Sequence, residues 1–332
     1  MNHEASIICS EIASRRVIHP DIFDPDSPRC RGRKHRDDLL TPCLRALRGK
    51  NIFTNAIAAR FSAAAATYHA SATIQRSVAE RLSAMLAGEE TADRILEIGC
   101  GTGLLTAHLC RLFPRARIDA LDMAGGMVAQ CRARLADASG LSCHVADLNN
   151  FSAEVPYPLI VSSSTLHWMD PIEDVMDTLA GLLTGRGRLV FALMVRGTLA
   201  ELFAARQRAA PHKPPARRLP TMLTVRAALA QAGLSIEEEH EESRRQAYTS
   251  AGDLLRQLHD QGLTGGPLAR SGRLLNRTDL RCLVRDYEAH YRAGDGVYAS
   301  YQMAYFRACK GGRTESARQR PGQTQKVLIP RV

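Results

Sequence analysis

Long apolar runs and metal-type cysteine spacings are both missing from this chain of 332 residues. No stretch approaches the roughly 18 consecutive apolar residues of a membrane-spanning helix, and the first thirty residues lack an apolar core followed by a small-residue cleavage site. The nine cysteines form no CxxC pair and no cluster with histidines. These absences predict a cytoplasmic protein with reduced thiols, no membrane association and no bound metal.

A basic surface spread over the whole chain is also missing, although the formal net charge is +10. Residues 1–50 contribute +3 and residues 310–332 contribute +5, which leaves only +2 for residues 51–309. The two terminal segments are predicted to be a flexible extension and a flexible basic tail, with the folded domain between them. This distribution argues against a nucleic-acid partner.

What is present from about residue 91 is an alternation of strand-length apolar stretches with segments of helical period. This alternation is typical of an α/β fold built around a parallel sheet. Residues 51–90 have one-sided apolar spacing that predicts a helix pair, and residues 251–292 predict a helical insertion before the last strand. The predicted strands cover residues 94–99, 117–122, 141–147, 158–164, 188–194, 234–243 and 297–308.

The turn from the first predicted strand to the first helix carries the motif "EIGCGTG", Glu97 to Gly103. Its three glycines allow a sharp turn and let a ligand lie against bare main chain, although a purely structural turn is the alternative. The spacing is GxGxG, so the GxGxxG pattern of a pyrophosphate-binding turn fails. A nucleoside without a phosphate therefore fits this turn better than a dinucleotide.

Aspartates end the next two predicted strands, Asp122 the second and Asp147 the third. At these positions a carboxylate can accept ribose hydroxyls or meet an exocyclic amine. A helix cap is the alternative for each aspartate taken singly. Because both follow strand ends that meet at one edge of a parallel sheet, we predict a shared nucleoside site there.

With these motifs, most of residues 56–309 resembles the class I methyltransferases that use S-adenosylmethionine. The resemblance implies a Rossmann-like sheet of seven strands with an antiparallel last strand, and S-adenosylmethionine as the cofactor. It places the following residues at the cofactor: Glu97, Gly99, Gly101, Gly103, Asp122, Met123, Asp147, Leu148 and Ser163.

Three further segments resemble the malonyl-[acyl-carrier protein] O-methyltransferases that open biotin synthesis. They are "ARFSAAAATYHASATIQRSVAERLSAML" (59–86), "SSSTLHW" (162–168) with "FALMVRGTLAELFAA" (191–205), and "LNRTDLRCLVRDYEAHY" (275–291). The resemblance implies that the N-terminal helical segment forms a lid over the cofactor. Tyr68 and Gln75 are then candidates for contacting the cofactor, with core packing as the alternative for both.

The segment "SSSTLHW" follows the fourth predicted strand, and in this family such a segment would line the cleft where cofactor and substrate meet. His167 and Trp168 are the substrate candidates there, with a helix cap and a core aromatic as the alternatives. A serine nucleophile is disfavoured because no GxSxG turn is present. Arg196 and Arg256 are candidates for selecting a free carboxylate, with solvated surface arginine as the alternative.

The resemblance implies methyl transfer to the free carboxyl of a malonyl thioester, carried by acyl-carrier protein or coenzyme A. No catalytic residue is assigned, because a carboxylate is already ionised near neutral pH and positioning can supply much of the rate. The basic loop "HKPPARR" (212–218) is a candidate docking site for an acidic carrier protein. The alternatives are a methyltransferase acting on another small molecule and, less favoured, an RNA methyltransferase or nucleic-acid-binding protein.

Overall fold

The computed structural model describes residues 55–87, 89, 92–213, 219–263 and 275–311. The predicted extension at 1–50, nearly all of the basic tail at 310–332, and most of the basic loop at 212–218 lie outside the described residues. The predicted domain boundaries therefore stay predictions.

A single sheet of eight strands organises the described residues. Its strands are β1 (Arg94–Ile98), β2 (Arg117–Asp122), β3 (Leu141–Val145), β4 (Tyr157–Ser163), β5 (Leu183–Met194), β6 (Leu234–Tyr248), β7 (Arg292–Ala293) and β8 (Gly296–Lys310).

The strand order is β3-β2-β1-β4-β5-β8-β6, with the two-residue β7 paired to the start of β8. Neighbours from β3 to β5 are parallel, whereas β8 runs antiparallel to both β5 and β6. The predicted seven-stranded sheet with an antiparallel last strand is thus confirmed. The addition is β7, which forms a tight hairpin with β8 across Gly294, whose φ is +58°. Two residues are too short to show a strand period in the sequence.

Two strands are longer than their apolar patterns predict. β5 begins at Leu183 rather than at 188, and β6 continues to Tyr248 rather than ending at 243. The added part of β6, "RRQAY", pairs residue by residue with the first half of β8. Because ladder hydrogen bonds do not depend on side-chain polarity, pairing extends past the point where the apolar alternation stops.

The helices are α1 (residues 55–71), α2 (Thr73–Met85), α3 (Thr106–Leu112), α4 (Gly125–Arg134), α5 (Ile172–Leu182), α6 (Ala200–Ala209), α7 (Met222–Gln231), α8 (Ala251–Asp260) and α9 (Arg277–His290). The predicted lid segment contains α1 and α2, and the predicted insertion contains α8 and α9. None of the described helices is long and apolar enough to cross a membrane.

The side chains of adjacent residues in the central strands pack into two separate hydrophobic cores, one on each face of the sheet. Ile95 of β1 belongs to the core that holds α2, α3, α6, α8 and α9, and the next residue, Leu96, belongs to the core that holds α5 and α7. The same split separates Val190 from Leu189 in β5. Successive side chains of a strand point to opposite faces, so these near-continuous apolar runs require helices on both sides.

Helix α1 lies directly against the start of α4. The Ser62 hydroxyl accepts a hydrogen bond from the Gly126 N–H at 3.2 Å. A Cβ added to Gly126 would lie 2.5 Å from the Ser62 carbonyl oxygen, whereas one added to Gly125 would meet nothing closer than 4.0 Å. Gly126 therefore permits the close approach of the lid segment to α4.

We predict that Gly126→Ala pushes α1 away from α4 and lowers the free energy of unfolding by about 1–3 kcal/mol. The added methyl group would clash with the backbone of α1 at Ser62, which cannot move aside as a side chain can. The matched control Gly125→Ala removes a glycine from the same helical turn without a clash, so its stability should stay equal or rise slightly. Chemical denaturation of the three proteins measures both values. Equal stabilities for the two variants would contradict the assigned close approach.

Candidate active site

The order of the strands reverses between β1 and β4, and the loops that follow these two strands meet at that point. Such a switch point is where open α/β sheets bind ligands. The Ser162 hydroxyl of β4 donates to the Ile98 carbonyl of β1 at 2.9 Å, and the Thr165 hydroxyl lies 3.3 Å from the Gly99 carbonyl. The glycine loop after β1 and the serine-rich loop after β4 are therefore joined.

The three motif glycines have different roles in this loop, although each has a positive φ. A Cβ on Gly99 would fall 2.1 Å from the Thr165 hydroxyl, so Gly99 makes room for the neighbouring loop. A Cβ on Gly103 would press on Cys131 of α4 at 3.2 Å. A Cβ on Gly101 would meet nothing within 4 Å. Gly101 is thus the position where bare backbone faces open space, as a bound ligand requires.

Asp122, at the end of β2, is hydrogen-bonded to the glycine loop. Its Oδ2 accepts from the Gly101 N–H at 2.9 Å and its Oδ1 accepts from the Ala124 N–H at 2.8 Å. Burial raises the pKa of Asp122, and the two backbone donors partly offset that rise. Each carboxylate oxygen retains lone-pair capacity for a further donor such as a ribose hydroxyl. The adjacent Met123 is half-buried.

Glu97 is the most enclosed acid of the site, with 1% of its surface exposed. Burial raises its pKa to about 7, the Thr106 hydroxyl acts in the opposite direction, and the nearby Asp122 adds to the rise. Its Oε2 has no hydrogen-bond partner among the described residues. A buried carboxylate oxygen in this state favours a ligand that brings a donor or a positive charge.

Asp147 caps the short 3-10 helix Leu148–Asn150, because its Oδ1 accepts from the Asn149 N–H at 3.0 Å and from the Asn149 side-chain amide at 2.9 Å. Asp147 therefore acts as a helix cap, and its contact with the cofactor stays a prediction. Leu148 packs into the core beside Leu96 and Leu121. Ser163 is half-buried at the end of β4, and its carbonyl accepts from the Thr165 hydroxyl.

A pocket between α1 and the ends of β4 and β5 brings together four of the sequence-predicted residues. These are Tyr68, Gln75, His167 and Trp168. The Phe61 ring links two of them, with its centroid 5.2 Å from that of Trp168 and 6.3 Å from that of Tyr68, both edge to face. Burial, with a smaller contribution from Asp122, raises the pKa of Tyr68, so this hydroxyl remains protonated.

The His167 ring is fixed against β5. Its Nδ1 accepts a hydrogen bond from the Met194 N–H at 3.3 Å, and the residue is buried. An acceptor Nδ1 carries no proton, so the neutral ring has its proton on Nε2. In this arrangement neither ring nitrogen serves as a ready general base.

Gln75 presents a fixed acceptor to the pocket. The Gln261 amide donates to the Ser71 carbonyl at 2.9 Å, which leaves the Gln261 side-chain oxygen to accept from the Gln75 amide at 3.3 Å. This relay determines the orientation of the Gln75 amide, and its Oε1 has no partner among the described residues. Gln75 can therefore accept a hydrogen bond from a ligand but cannot donate its amide hydrogens equally well.

The two predicted arginines are not brought to the pocket. Arg196 is exposed after β5, where its backbone N–H donates to the Pro220 carbonyl. The Arg256 side chain is 70% exposed and lies 3.7 Å from Asp253 on the solvent side of α8, whose inner face carries Leu254 and Leu258. Both fit the surface-arginine alternative. In the candidate docking loop, Lys213 is not a free cation either, since its Nζ pairs with Asp279 at 2.5 Å.

Comparison with known proteins adds to this geometry. Residues 96–189 match a family model described as a methyltransferase domain. A malonyl-[acyl-carrier protein] O-methyltransferase of Geobacter sulfurreducens is 32% identical over 254 residues, which cover 74% of this chain and 94% of that protein. The chain belongs to the malonyl-[acyl-carrier protein] O-methyltransferase family. The Bacillus cereus member is 27% identical over 76% of this chain and 96% of its own length.

A solved structure from Bacillus halodurans shares the fold of this methyltransferase. It covers 69% of this chain and 99% of its own, with 11% identical residues and a TM-score of 0.50. The likeness supports the sheet architecture, and at this identity it carries nothing about the substrate.

S-adenosylmethionine is the cofactor of this methyltransferase, and three features of the site fit it. Gly101 offers open backbone, Asp122 retains acceptor capacity beside it, and Glu97 has an unpartnered buried oxygen. A nucleoside with a cationic amino-acid portion matches such a site, because the ribose brings hydroxyl donors and the amino-acid portion brings an ammonium group.

Several pocket residues were not anticipated from the sequence. Met194, Thr198, Leu199, Leu219, Leu263 and Tyr301 line the pocket with the four predicted residues, and so does Ser164 of the segment "SSSTLHW", which was expected at the cleft. Ser164 has a φ of +55°, which is unusual for a residue with a side chain. Met194, Thr198 and Leu199 lie in the segment "FALMVRGTLAELFAA", which carries the family resemblance, whereas Leu219, Leu263 and Tyr301 come from distant elements that no local motif marks.

The raised pKa of Glu97 makes the ligand-free protein less stable at higher pH. Its unfolded-state pKa is about 4.5 and its folded-state pKa about 7, so its contribution is fully present below the first value and lost as pH rises through the second. The expected loss is about 3 kcal/mol.

The measurement is the free energy of unfolding between pH 5 and pH 8 for the wild type and for Glu97→Gln, which cannot ionise. The variant should show a flatter dependence on pH, since groups shared by both proteins cancel in the difference. Parallel curves would show that Glu97 does not titrate in this range.

Proposed function

We propose that this enzyme transfers a methyl group from S-adenosylmethionine to the free carboxyl of a malonyl thioester on acyl-carrier protein, an early step of biotin synthesis. The observation that carries the proposal is the pocket next to the loop after β4, which is joined to the glycine loop, in a chain of this family. The two relatives described above are named for this reaction.

The pocket suits an acceptor that needs no general base. A malonyl carboxylate is ionised near neutral pH, so no proton has to be removed before it reacts. His167 is the only histidine, and no Asp, Glu or Lys is present, among the described residues that line the pocket. Its Nδ1 is already engaged by the Met194 N–H. Orientation and proximity are therefore the main contributions expected from the protein.

S-adenosylmethionine, when bound, supplies an electrophilic methyl group on a sulfonium centre. The residues of this chain that would hold it are the glycine loop, Asp122 and Glu97, with Tyr68 and Gln75 closing the lid side. Phe61, Tyr68 and Trp168 surround the pocket with aromatic surface, which excludes water and attracts positive charge. The Trp168 and His167 side chains would border the acceptor on the β4 side.

The partner and the compartment follow from the same proposal. The acceptor would be presented by acyl-carrier protein, with the coenzyme A thioester as the smaller alternative. No disulfide joins the cysteines among the described residues, which fits a reducing compartment such as the cytoplasm.

The test is methyl transfer from labelled S-adenosylmethionine to malonyl-carrier protein, with malonyl-CoA and acetyl-carrier protein in parallel. We expect labelled methyl ester on the malonyl species and none on the acetyl species, which has no free carboxyl. Label on another small molecule alone would support the other-acceptor alternative and remove the malonyl assignment. The ratio of malonyl-carrier protein to malonyl-CoA turnover measures the contribution of the carrier.

The RNA alternative makes a separate prediction. Removal of residues 1–50 and 310–332 takes away most of the excess positive charge, so an enzyme that binds nucleic acid would lose affinity steeply. The proposed enzyme should instead keep kcat/KM for the malonyl thioester within about 3-fold. Intact full-length chain is the control in the same assay.

A further inference from the structure

Two tyrosines from different strands meet at the pocket. Tyr248 ends β6 and Tyr301 lies in β8, and their hydroxyl oxygens are 2.7 Å apart. Each residue is 5% exposed, and Tyr301 is one of the residues that line the pocket. No other hydrogen bond to either hydroxyl occurs within the part of the chain that the structure describes.

The hydrogen count of this pair leaves one donor unused. Each phenol has one O–H proton, and a single bond between the two oxygens uses one of the two protons. If Tyr301 donated to Tyr248, the Tyr248 proton would be buried without an acceptor, which is costly. If Tyr248 donates to Tyr301, the unused proton belongs to Tyr301, the residue of the pair that lines the pocket, where a bound ligand can accept it. The second arrangement is the favourable one.

The backbone around Tyr301 is held on both sides by the turn between β5 and α6. The Thr198 hydroxyl donates to the Gln302 carbonyl at 3.0 Å and accepts from the Gln302 N–H at 3.0 Å. The buried Glu201 carboxylate accepts from the Ser300 N–H at 3.0 Å and from the Ser300 hydroxyl at 2.5 Å. Tyr301 thus lies between two anchored neighbours.

This turn is itself conformationally demanding. Leu199 has a φ of +55°, which is costly for a residue with a γ-branched side chain, and Gly197 has a φ of +105°. The bonds to Ser300 and Gln302 stabilise the turn, and the turn in return holds the β8 segment that carries Tyr301. The position of the Tyr301 hydroxyl is therefore determined before a ligand binds.

We propose that Tyr301, supported by Tyr248, donates a hydrogen bond from its hydroxyl to the carboxylate of the acceptor substrate. This inference rests on the proposed function and names a specificity-determining residue for it. Ser164 is a second hydroxyl of the same pocket whose Oγ has no partner among the described residues. Burial is the main cause that raises the pKa of both tyrosines. Both hydroxyls therefore stay protonated near neutral pH and can donate hydrogen bonds.

A neutral donor suits a carboxylate that must also act as a nucleophile. One O–H group engages a single lone pair and leaves the second oxygen free to react, whereas a bidentate cation would engage both oxygens. A substrate with a methyl or ester group in place of the free carboxyl would leave the Tyr301 hydroxyl without a hydrogen-bond acceptor. The cost of that unpaired hydroxyl would select the free carboxyl.

The test is Tyr301→Phe in the full-length enzyme, with malonyl-carrier protein as the varied substrate. We expect KM to rise about 10- to 100-fold through loss of a hydrogen bond to a charged group. The kcat should not fall, because the carboxylate loses its charge as it reacts and the hydrogen bond weakens with it, so its loss does not raise the barrier from the bound complex. The Kd for S-adenosylmethionine should not change.

Tyr248→Phe is the comparison variant. It breaks the same hydrogen bond between the two tyrosines but leaves the Tyr301 hydroxyl in place. Its KM should rise less than that of Tyr301→Phe, by about 3-fold, because the direct donor remains and only its supporting hydroxyl is lost. Its thermal stability should match that of Tyr301→Phe. As a second readout, inhibition by acetyl-carrier protein should be equal in all three proteins, because the acetyl group has no carboxylate to lose a contact.

The outcomes separate this inference from the proposed function. An unchanged KM in Tyr301→Phe, or an equal rise in Tyr248→Phe, overturns the role of Tyr301 and leaves the proposed function standing. A parallel weakening of acetyl-carrier inhibition would also overturn it, since that pattern indicates general pocket damage. Absence of malonyl methylation by the wild type overturns the proposed function and this inference together.

Discussion

The junction between the glycine loop and the loop after β4 is the contact on which the rest of the site depends. Ser162 bonds to the Ile98 carbonyl, and Thr165 occupies the space that a Cβ on Gly99 would fill. The first loop carries Gly101 and its bond to Asp122, and the second carries His167 and Trp168. Movement of either loop would separate the cofactor side from the acceptor side, so the reacting groups are aligned by one interface.

Charge is divided between the two sides of this interface. The side of the glycine loop contains the buried Glu97 and the half-buried Asp122, whose pKa values are raised mainly by desolvation. The acceptor side, as far as it is described, is lined by aromatic rings, aliphatic side chains and neutral hydroxyls. In the proposed reaction, the acids would favour the cationic cofactor on one side, and neutral donors would accept the carboxylate on the other. Such a division brings a nucleophile and an electrophile together without neutralising the nucleophile by an ion pair.

The lid segment connects both sides to the helical insertion. Helix α1 contacts the glycine loop through His69, whose Nδ1 lies 3.1 Å from the Thr102 hydroxyl, and α2 reaches the insertion through the Gln75 amide. The Thr67 hydroxyl donates to the Asp260 carbonyl at the end of α8. Opening of the lid would therefore break polar contacts at the cofactor loop and at the insertion together, which couples the two regions energetically.

The parallel sheet, the glycine turn and the acids at strand ends could be predicted from the amino-acid order alone, because strand period, glycine spacing and an aspartate after a strand are local signals. The family resemblance singled out Tyr68 and Gln75, which the structure brings to the pocket, while the lid over the cofactor stays a prediction. The sequence could not separate pocket arginines from surface arginines, since Arg196 and Arg256 differ from a ligand-binding arginine only in where the fold points them. Tyr301 and Tyr248 became a pair only through the antiparallel pairing of β6 with β8, a long-range contact that leaves no mark in either segment. Tertiary structure decided the acceptor side of the site because its lining comes from distant elements that folding alone brings together.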